Sequence, residues 1–229
     1  MSHCKFKLAA VVRETPEVKT FRFEPLESFS FKAGQFVLLR LDGESRAYSI
    51  SSHPSEPLVG LTVRIAPDSY FPKKIERLKI GDVVEMDGPF GAFSLDSSTT
   101  EAVFIGAGVG IAGLRALWSE HLRKPGASAT IVYSAKTERD IVWRSELEAL
   151  PRTKLVLTLT RENPAGWKGE LGRIDAAMLK RHITSPASKH YCVCGPPEMV
   201  EATKADLLRL GVPEARIKSE SWGGIAGSV

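Results

Sequence analysis

The feature that most constrains the fold is a change of sequence pattern near residue 100. Before it, short apolar and β-branched runs alternate with turn residues, as in FVLLRL (36–41) and LVGLTVRIA (58–66). Regularly spaced short strands of this kind are typical of an antiparallel β-barrel or sandwich. One segment departs from the pattern: in SYFPKKIERL (69–78) we expect Ser69 to cap a short helix that carries Pro72 in its first turn.

After residue 100, strand-like and helix-like segments alternate. The strand-like runs are AVFIGAG, ATIVYSAK, KLVLTLT and HYCVCGPP, and the clearest helical runs are IAGLRALWSEHLRKPG and EMVEATKADLLRLG. This alternation predicts βαβ units and a doubly wound parallel sheet. The polar segment LDSSTTE (95–101) predicts a linker, so we expect a β-barrel domain over residues 1–97 and an α/β domain over residues 98–229.

The cysteine and histidine content limits the chemistry that the chain can perform by itself. Cys4, Cys192 and Cys194 are too few to supply the four thiolates of a [2Fe–2S] cluster, and the five histidines show no metal-ligand spacing. Cys192 and Cys194 alternate on one predicted strand and face the same way. Their separation within one extended strand does not allow a normal disulfide, so we interpret Cys192 as a packing residue. We assign no metal, and redox chemistry would need a bound organic cofactor.

Charge and hydropathy argue against nucleic-acid binding and against a membrane span. The net charge is +4, but the basic residues form no Lys/Arg run, which argues against nucleic-acid binding. No stretch approaches the roughly 20 apolar residues of a membrane span. Because the N-terminus becomes polar too soon for a secretory signal, we expect a cytoplasmic protein.

A glycine-rich loop, GAGVGIAG (106–113), follows a predicted strand and begins a predicted helix. Gly108, Gly110 and Gly113 satisfy the pattern G-x-G-x-x-G. Glycine lets backbone amides approach a pyrophosphate, whose charge the helix N-terminus then favours. This context predicts dinucleotide binding rather than an ordinary glycine turn.

The end of the second α/β strand bears on which dinucleotide binds. NAD-binding units place an acidic residue about 20 positions after the glycines, to hold the ribose 2′-hydroxyl. Here the strand ends with Ser134 and Lys136, with Arg139 close by and no acidic residue at the tip. A hydroxyl and two cations suit a 2′-phosphate, which favours NADPH over NADH. The alternative is that Lys136 and Arg139 are solvated loop charges.

Several motifs occur together in one order along the chain. They are RAYSISS, which we place at the start of a strand, then GPFGAFSL, the glycine loop, YSAKTERDIVWRSELEAL, GWKGELGRI and YCVCGPPEMV. In combination they resemble the ferredoxin–NADP(+) reductase superfamily, in its compact form without an iron–sulfur domain, from about residue 5 to 224. The resemblance implies that the barrel binds FAD and that the α/β domain binds NAD(P)H.

The resemblance implies a role for each flavin residue. Arg46 would pair with the FAD pyrophosphate, Tyr48 would lie against the isoalloxazine and Ser49 would hydrogen-bond flavin N5. The strand around Thr62 would line the flavin, and Ser69 would bind phosphate. The implied flavin-binding set is Arg46, Ala47, Tyr48, Ser49, Thr62, Val63, Arg64, Ser69, Tyr70, Phe71 and Trp222.

The resemblance also implies the nicotinamide site and three catalytic residues, which are Ser49, Cys194 and Glu220. Cys194 would position the nicotinamide C4 against N5, although a buried cysteine at a strand end is commonly packing. Glu220 would relay a proton to or from Ser49, and Trp222 would either cover the isoalloxazine or pack between the domains. The implied NAD(P)-binding set is Gly108, Val109, Gly110, Ile111, Ser134, Lys136, Arg139, Cys194, Gly195, Pro196 and Met199.

Two departures from the family pattern are visible. Glycine stands at position 113, where the family usually has proline, and we expect it to loosen the start of the helix. The segment before Ser69 lacks the Gly-Gly pair that the family often has.

The resemblance implies an FAD-dependent NAD(P)H oxidoreductase. It would transfer hydride from NAD(P)H to flavin N5 and pass electrons to a separate ferredoxin, flavodoxin, cytochrome or oxygenase component. The alternatives are an electron-transfer subunit of a larger complex, a reductase of free flavin or quinone, and a non-catalytic nucleotide-binding module.

Overall fold

The computed structural model describes residues 2–96 and 98–222. These residues form two six-stranded sheets. The first sheet contains β1 (Ser2–Arg13), β2 (Val18–Pro25), β3 (Phe36–Leu41), β4 (Glu44–Ser49), β5 (Val59–Arg64) and β6 (Val83–Phe90), with helix α1 (Phe71–Glu76) between β5 and β6. The second contains β7 (Glu101–Ala107), β8 (Ser128–Ala135), β9 (Thr153–Leu159), β10 (Glu170–Leu171), β11 (His190–Gly195) and β12 (Ile217–Ser221). The helices of this half are α2 (Ala112–Leu122), α3 (Arg144–Ala149), α4 (Ala176–His182) and α5 (Pro197–Arg209).

The first sheet is antiparallel and closes on itself. Its strand order is β4-β3-β6-β1-β2-β5, and the two ends meet where Ile50 bridges Leu61 just beyond β4. Alternate residues face inward, so Phe21 and Phe23 of β2 lie in the barrel core whereas Thr20 does not. The predicted antiparallel barrel is confirmed.

The second sheet is parallel throughout, with strand order β10-β9-β8-β7-β11-β12. One face packs on α2 and the barrel, and the other packs on α4 and α5. The chain winds outward from β7 and then returns to β11 on its other side. The reversal of strand order therefore lies between β7 and β11, and ligands of such sheets bind at the carboxyl ends of the strands at that point.

The structure corrects two local predictions. The residues Arg46 to Ser49 lie at the end of β4, because Asp42 and Gly43 turn with positive φ (51° and 76°) and β4 begins directly at Glu44. Helix α1 has Tyr70 as its N-terminal cap, without a side-chain capping bond. Ser69 does not cap it, because its Oγ accepts a hydrogen bond from the Ala66 N–H at 2.7 Å.

Three elements were not predicted: β10, α4 and β12. Helix α4 begins after Asp175, whose side chain accepts from the Met178 N–H at 2.7 Å. Strand β12 pairs with β11 at the sheet edge and places the tail residues Glu220 and Ser221 in the second sheet. Across the two described ranges, we find no helix whose length and apolar character would let it cross a membrane.

Candidate functional site

The predicted catalytic residues of the two halves meet above Gly113. Ser49 ends β4, Gly113 lies in the first turn of α2, and Cys194 lies next to the end of β11. A Cβ built on Gly113 would lie 3.0 Å from Cys194 Sγ and 3.3 Å from Ser49 Oγ. Glycine therefore leaves the room that lets these side chains approach each other from separate domains.

The glycine loop forms a short 3-10 turn, Gly108–Ile111, directly before α2. Gly108 has φ +53° with open space beside it, whereas a Cβ on Gly110 would lie 2.5 Å from Gly195 Cα. The loop thus packs backbone against backbone on the end of β11. No side chain caps the turn, so its first amide groups are free of intrahelical partners, and such a donor set fits a pyrophosphate.

The Cys194 thiol is buried, and burial raises its pKa to about 12. A thiol with that pKa stays neutral at physiological pH, so it offers shape and a weak S–H donor rather than a thiolate nucleophile. Cys192 packs in the same cluster, and burial raises its pKa as well. Both side chains face the same core, as the alternation along the strand indicated.

Glu220 lies beside Cys194 in the register of β12 on β11. Burial raises the pKa of the Glu220 carboxyl to about 7, which brings its protonation change into the physiological range. A Cβ on Gly91 of the barrel would lie 3.8 Å from Glu220 Oε1. The carboxyl thus lies between the two halves, next to the point where Ser49 and Cys194 meet.

Trp222 packs between the domains. Its ring lies edge-on to Phe36 of the barrel, with centroids 5.5 Å apart, and its backbone N–H donates to the Gly195 carbonyl at 3.1 Å. The indole Nε1–H is buried and makes no well-directed hydrogen bond among the described residues. It nevertheless lies close enough to Glu220 and Cys194 to offset part of the rise in each pKa. The indole N–H therefore lies beside the Glu220 carboxyl and the Cys194 thiol at the domain boundary.

The barrel face around β4 and α1 combines aromatic rings with cations. Tyr48 stacks on Phe71 with ring centroids 6.3 Å apart and an interplanar angle of 27°. The Arg46 guanidinium lies 5.5 Å from the Phe71 ring centroid. Burial raises the pKa of Tyr48, so its hydroxyl stays neutral. An aromatic surface beside a guanidinium fits a planar ring linked to a pyrophosphate.

Lys74 is a cation of this face that the sequence reasoning missed. Its Nζ lies 2.9 Å from Glu44 Oε1 and 4.8 Å from the Tyr70 ring centroid, and Arg46 Nη2 lies 3.7 Å from Glu44 Oε2. One carboxylate therefore holds both cations, and the hydrogen bond with Lys74 is the main cause that lowers the Glu44 pKa. The available signal was the four-residue spacing of Tyr70 and Lys74, which places both on one helix face.

The other predicted flavin residues differ in what they present to this face. The Thr62 hydroxyl is buried and shared with Thr20 (2.9 Å) and Ser51 (2.8 Å). The Val63 side chain lies in the barrel core, so it offers only its backbone outward. Ala47 is half-buried in β4, and Ser69 is hydrogen-bonded within its own loop. Arg64 is exposed and pairs with Glu17 at 2.8 Å, and Tyr70 is 67% exposed.

The predicted nicotinamide residues line the carboxyl ends of β7, β8 and β11. Ser134 is buried near the end of β8, whereas Lys136 and Arg139 are exposed. The neighbouring carboxylates are engaged, because Glu138 pairs with Arg144 and Asp140 accepts from Thr137 at 2.7 Å. Of the other predicted residues, Val109 is half-buried, Ile111 is buried and Pro196 is exposed. The Met199 Cε would lie 2.5 Å from a Cβ built on Gly195.

Fold and site together define a two-cofactor oxidoreductase of two domains. The barrel offers aromatic rings and cations, the parallel sheet offers a glycine loop, and the reactive ends of both meet at one point. In such proteins the cofactors carry the chemistry, and the protein supplies binding, orientation and electrostatics.

Comparison with known proteins agrees with this class. Residues 5–95 match the family model of the oxidoreductase FAD-binding domain, and residues 104–205 match that of the oxidoreductase NAD-binding domain. Ferredoxin--NADP reductase B of Sorangium cellulosum is 33% identical over 94% of this chain and 96% of its own. The glycine betaine monooxygenase reductase subunit of Chromohalobacter salexigens is 32% identical over 93% of this chain and 62% of its own.

A further relative and two solved structures share the fold. A subunit of the Na(+)-translocating NADH-quinone reductase of Methylococcus capsulatus is 33% identical over 78% of this chain and 49% of its own. A cytochrome P450 reductase of Amycolatopsis superposes with a TM-score of 0.86 at 24% identity, covering 96% of this chain and 69% of that chain. A ferredoxin NADP+ reductase of Neisseria gonorrhoeae, solved with FAD and NADP, gives 0.81 at 24% identity, covering 96% and 99%.

The chain belongs to the ferredoxin–NADP(+) reductase family of flavin-dependent NAD(P)H reductases, with FAD and NAD(P)H as cofactors. The resemblance drawn from its motifs is confirmed, as is the two-domain fold. The chain spans almost the whole of the Sorangium relative, but less than two thirds of the monooxygenase reductase subunit and about half of the quinone reductase subunit.

Proposed function

We propose that this chain transfers hydride from NADPH or NADH to N5 of FAD and passes the electrons to a separate redox protein. In this proposal residues 1–97 hold FAD and residues 98–229 hold the nicotinamide nucleotide. The convergence of Ser49 and Cys194 above Gly113 carries the proposal. Holding two reacting groups in contact turns an improbable encounter into a unimolecular step, which supplies much of the rate enhancement in such enzymes.

The barrel residues hold the flavin. Arg46 and Lys74 neutralise the pyrophosphate, and Glu44 gives up one or both of these cations when the pyrophosphate binds. Tyr48 lies against the ring, and the Ser49 hydroxyl hydrogen-bonds the N5 edge. When bound, FAD supplies an acceptor for hydride that releases electrons singly or as a pair.

The α/β residues orient the nicotinamide nucleotide and handle the proton. The amides of the glycine loop bind its pyrophosphate, and the neutral Cys194 thiol packs against its ring. Because burial raises the Glu220 pKa to about 7, this carboxyl can hold or release a proton near neutral pH next to Cys194. Ser134, Lys136 and Arg139 form the 2′-phosphate subsite, since Glu138 and Asp140 already have partners. This arrangement favours NADPH.

The electron acceptor is a separate protein. The chain has three cysteines, too few to ligate an iron–sulfur cluster of its own. The names of two relatives, a ferredoxin–NADP reductase and a monooxygenase reductase subunit, support a small redox protein or an oxygenase component as the acceptor. The three cysteines are free, which agrees with a reducing compartment, and we place the protein in the cytoplasm.

An absorption spectrum of the purified protein tests the proposal directly. We expect a flavin spectrum that NADPH bleaches under anaerobic conditions faster than NADH does. Adding ferredoxin, flavodoxin or cytochrome c should restore the absorbance faster than free flavin or a quinone does. A colourless protein that cannot be reconstituted with FAD, or a bound flavin that neither nucleotide reduces, would leave only a nucleotide-binding module.

A further inference from the structure

Arg115 of helix α2 bonds to both domains at once. Its Nη1 donates to the Ser51 carbonyl at 2.9 Å and to Glu56 Oε1 at 3.0 Å, and both acceptors belong to the barrel half. Its Nε donates to Glu146 Oε1 of α3 at 2.9 Å. The side chain is only 16% exposed, so these bonds are shielded from water. Charge-assisted bonds in such surroundings are stronger and more directional than exposed ion pairs.

These bonds span the same gap as the proposed point of reaction. Ser51 follows Ser49 by two residues, and Arg115 follows Gly113 by two residues along α2. The contact from Arg115 to the Ser51 carbonyl thus ties the end of the flavin strand to the first turns of the nucleotide-binding helix. A change in this bond would shift the helix relative to the strand close to Ser49 and Cys194.

The domain interface beside Arg115 is not filled by packed side chains. A cavity of about 400 Å³ lies there, lined by barrel residues that include Thr20 and Gly60 and by Trp143 and Glu146 of the other half. The guanidinium carbon lies 5.3 Å from the Trp143 ring centroid. The apolar cluster shared by the two halves does not fill this place, and the polar bonds of Arg115 to Ser51 and Glu56 bridge the domains beside the cavity.

We propose that Arg115 is a positioning residue, which holds the nucleotide-binding helix at the distance from the flavin strand that hydride transfer requires. The inference rests on the proposed function, since it assumes that the two cofactors react above Gly113. Arg115 itself touches neither reacting ring; it acts through Ser51 and the first turns of α2.

The same helix provides a matched control. Arg123, just after α2, also reaches the barrel, because its Nη2 donates to Ser55 Oγ at 3.0 Å. Ten residues of helix separate it from Gly113, which is about 15 Å along the axis. Arg123 therefore attaches the helix to the barrel without setting the distance between the domains at Gly113.

The first experiment measures flavin reduction in FAD-loaded protein by stopped flow, with whichever nucleotide reduces the wild type faster. Arg115→Lys keeps the charge, but an ammonium cannot reproduce the planar fork that reaches three acceptors. We expect its limiting rate to fall about 10- to 100-fold, as for a displacement near 1 Å, with the FAD content unchanged. Arg123→Met should stay within about twofold of wild type.

The second experiment has a readout other than activity. Hydrogen–deuterium exchange of the apoprotein should rise in Arg115→Lys in peptides covering residues 49–58 and 108–116, and not in peptides covering 197–209. If Arg115→Lys does not fold, the triple variant Arg115→Met, Glu56→Gln and Glu146→Gln removes all three charges, so that no buried charge is left unpaired. We expect the triple variant to fold, bind FAD and show the same slow reduction.

The outcomes separate the two proposals. A wild-type flavin that no nicotinamide nucleotide reduces defeats the proposed function. A wild type that is reduced, together with an Arg115 variant of unchanged limiting rate and exchange, defeats the positioning role alone. Equal loss of rate in the Arg115 and Arg123 variants would also defeat it, because it would show that any contact between α2 and the barrel serves equally.

Discussion

Arg46 and Lys74 approach the barrel face from different elements, β4 and α1, and share the carboxylate of Glu44. Arg46 lies beside the Phe71 ring, which stacks on Tyr48, and Lys74 lies beside the Tyr70 ring of the same face, where the flavin is proposed to bind. When a pyrophosphate binds here, Arg46 and Lys74 exchange their shared partner, the Glu44 carboxylate, for its two phosphate groups. The strength of FAD binding should therefore depend on both cations.

Arg46→Ala should lose most of its bound FAD while the barrel stays folded. Charge-assisted hydrogen bonds contribute about 1.5–3 kcal/mol each, so we expect the dissociation constant to rise about 10- to 100-fold. Flavin fluorescence on titration measures the affinity, and circular dichroism reports the fold. Arg40→Ala is the control. Arg40 of β3 pairs with Asp87 of β6 at 2.5 Å, so the substitution should leave the FAD affinity unchanged. Full FAD occupancy in Arg46→Ala would remove the pyrophosphate assignment.

Glu220 should make the stability of the protein depend on pH. Burial raises its pKa from 4.5 to about 7, so the folded state binds more protons than the unfolded chain between these pH values. The free energy of unfolding therefore falls as pH rises through this window. Below about pH 4.5 the carboxyl is protonated in both states, so the cost of ionising it in the folded protein is absent.

The corresponding variant is Glu220→Gln, which cannot ionise. At pH 8 it should be more stable than wild type by about 1–2 kcal/mol, allowing for residual solvent, and the difference should vanish near pH 4.5. Urea unfolding at several pH values measures this. Glu201→Gln on α5, which is exposed, should show no such window. A constant difference between Glu220→Gln and wild type at all pH values would contradict the assignment.

At the scale of elements, the start of α2 is fixed by backbone contact with the end of β11. The Cβ of Gly110→Ala would meet Gly195 backbone atoms at 2.5 Å, so loop and strand must separate. We expect a loss of about 1–3 kcal/mol in the free energy of unfolding and weaker NADP+ binding.

Gly126→Ala is a control just beyond the other end of the same helix. Its φ of +71° makes alanine strained by about 1–2 kcal/mol, but nothing lies within 4 Å of the new Cβ. Urea unfolding and calorimetric NADP+ titration of both variants compare them. Unchanged NADP+ affinity in Gly110→Ala would show that the loop does not depend on this contact.

Elements with a strong local pattern were predicted well, and those defined by a neighbour were not. Strand β3 has the sequence FVLLRL, in which five of six residues are apolar, and its bounds were predicted residue for residue. Strand β12, with the sequence IKSES, has no apolar alternation and is a strand because β11 offers it a pairing edge. The two-residue β10 likewise exists through its pairing with β9. Helix α4 had a usable signal in Asp175, which was overlooked.

At the scale of the whole molecule, the two halves share one hydrophobic cluster. Val18, Ala33 and Phe93 of the barrel half pack in the same cluster as Leu117 and Trp118 of α2. A Cβ on Gly34 would lie 2.9 Å from Leu117 Cδ2, although Gly34 precedes β3 in the barrel half. Packing this close links the unfolding of one half to that of the other.

We therefore expect FAD to stabilise the whole chain and not the barrel alone. A hundredfold excess of FAD over its dissociation constant should raise the free energy of unfolding by about 2.7 kcal/mol. Scanning calorimetry should show one transition that moves to higher temperature with FAD. Two transitions, of which only one moves, would show that the halves unfold independently.

The sequence by itself determined the class of each half. Strand and helix periodicity and the glycine loop are local features, so they can be read from short segments of the chain. It also determined the cofactor classes, through motifs whose order along the chain is specific even though each alone is weak. The tertiary structure decided what meets across the domain boundary: Ser49 with Cys194 above Gly113, Arg115 with Ser51, and the burial that raises the Glu220 pKa. These contacts join residues that are distant along the chain. They exist only once the barrel has closed and docked on α2, and burial, like proximity, is a property of that docked arrangement.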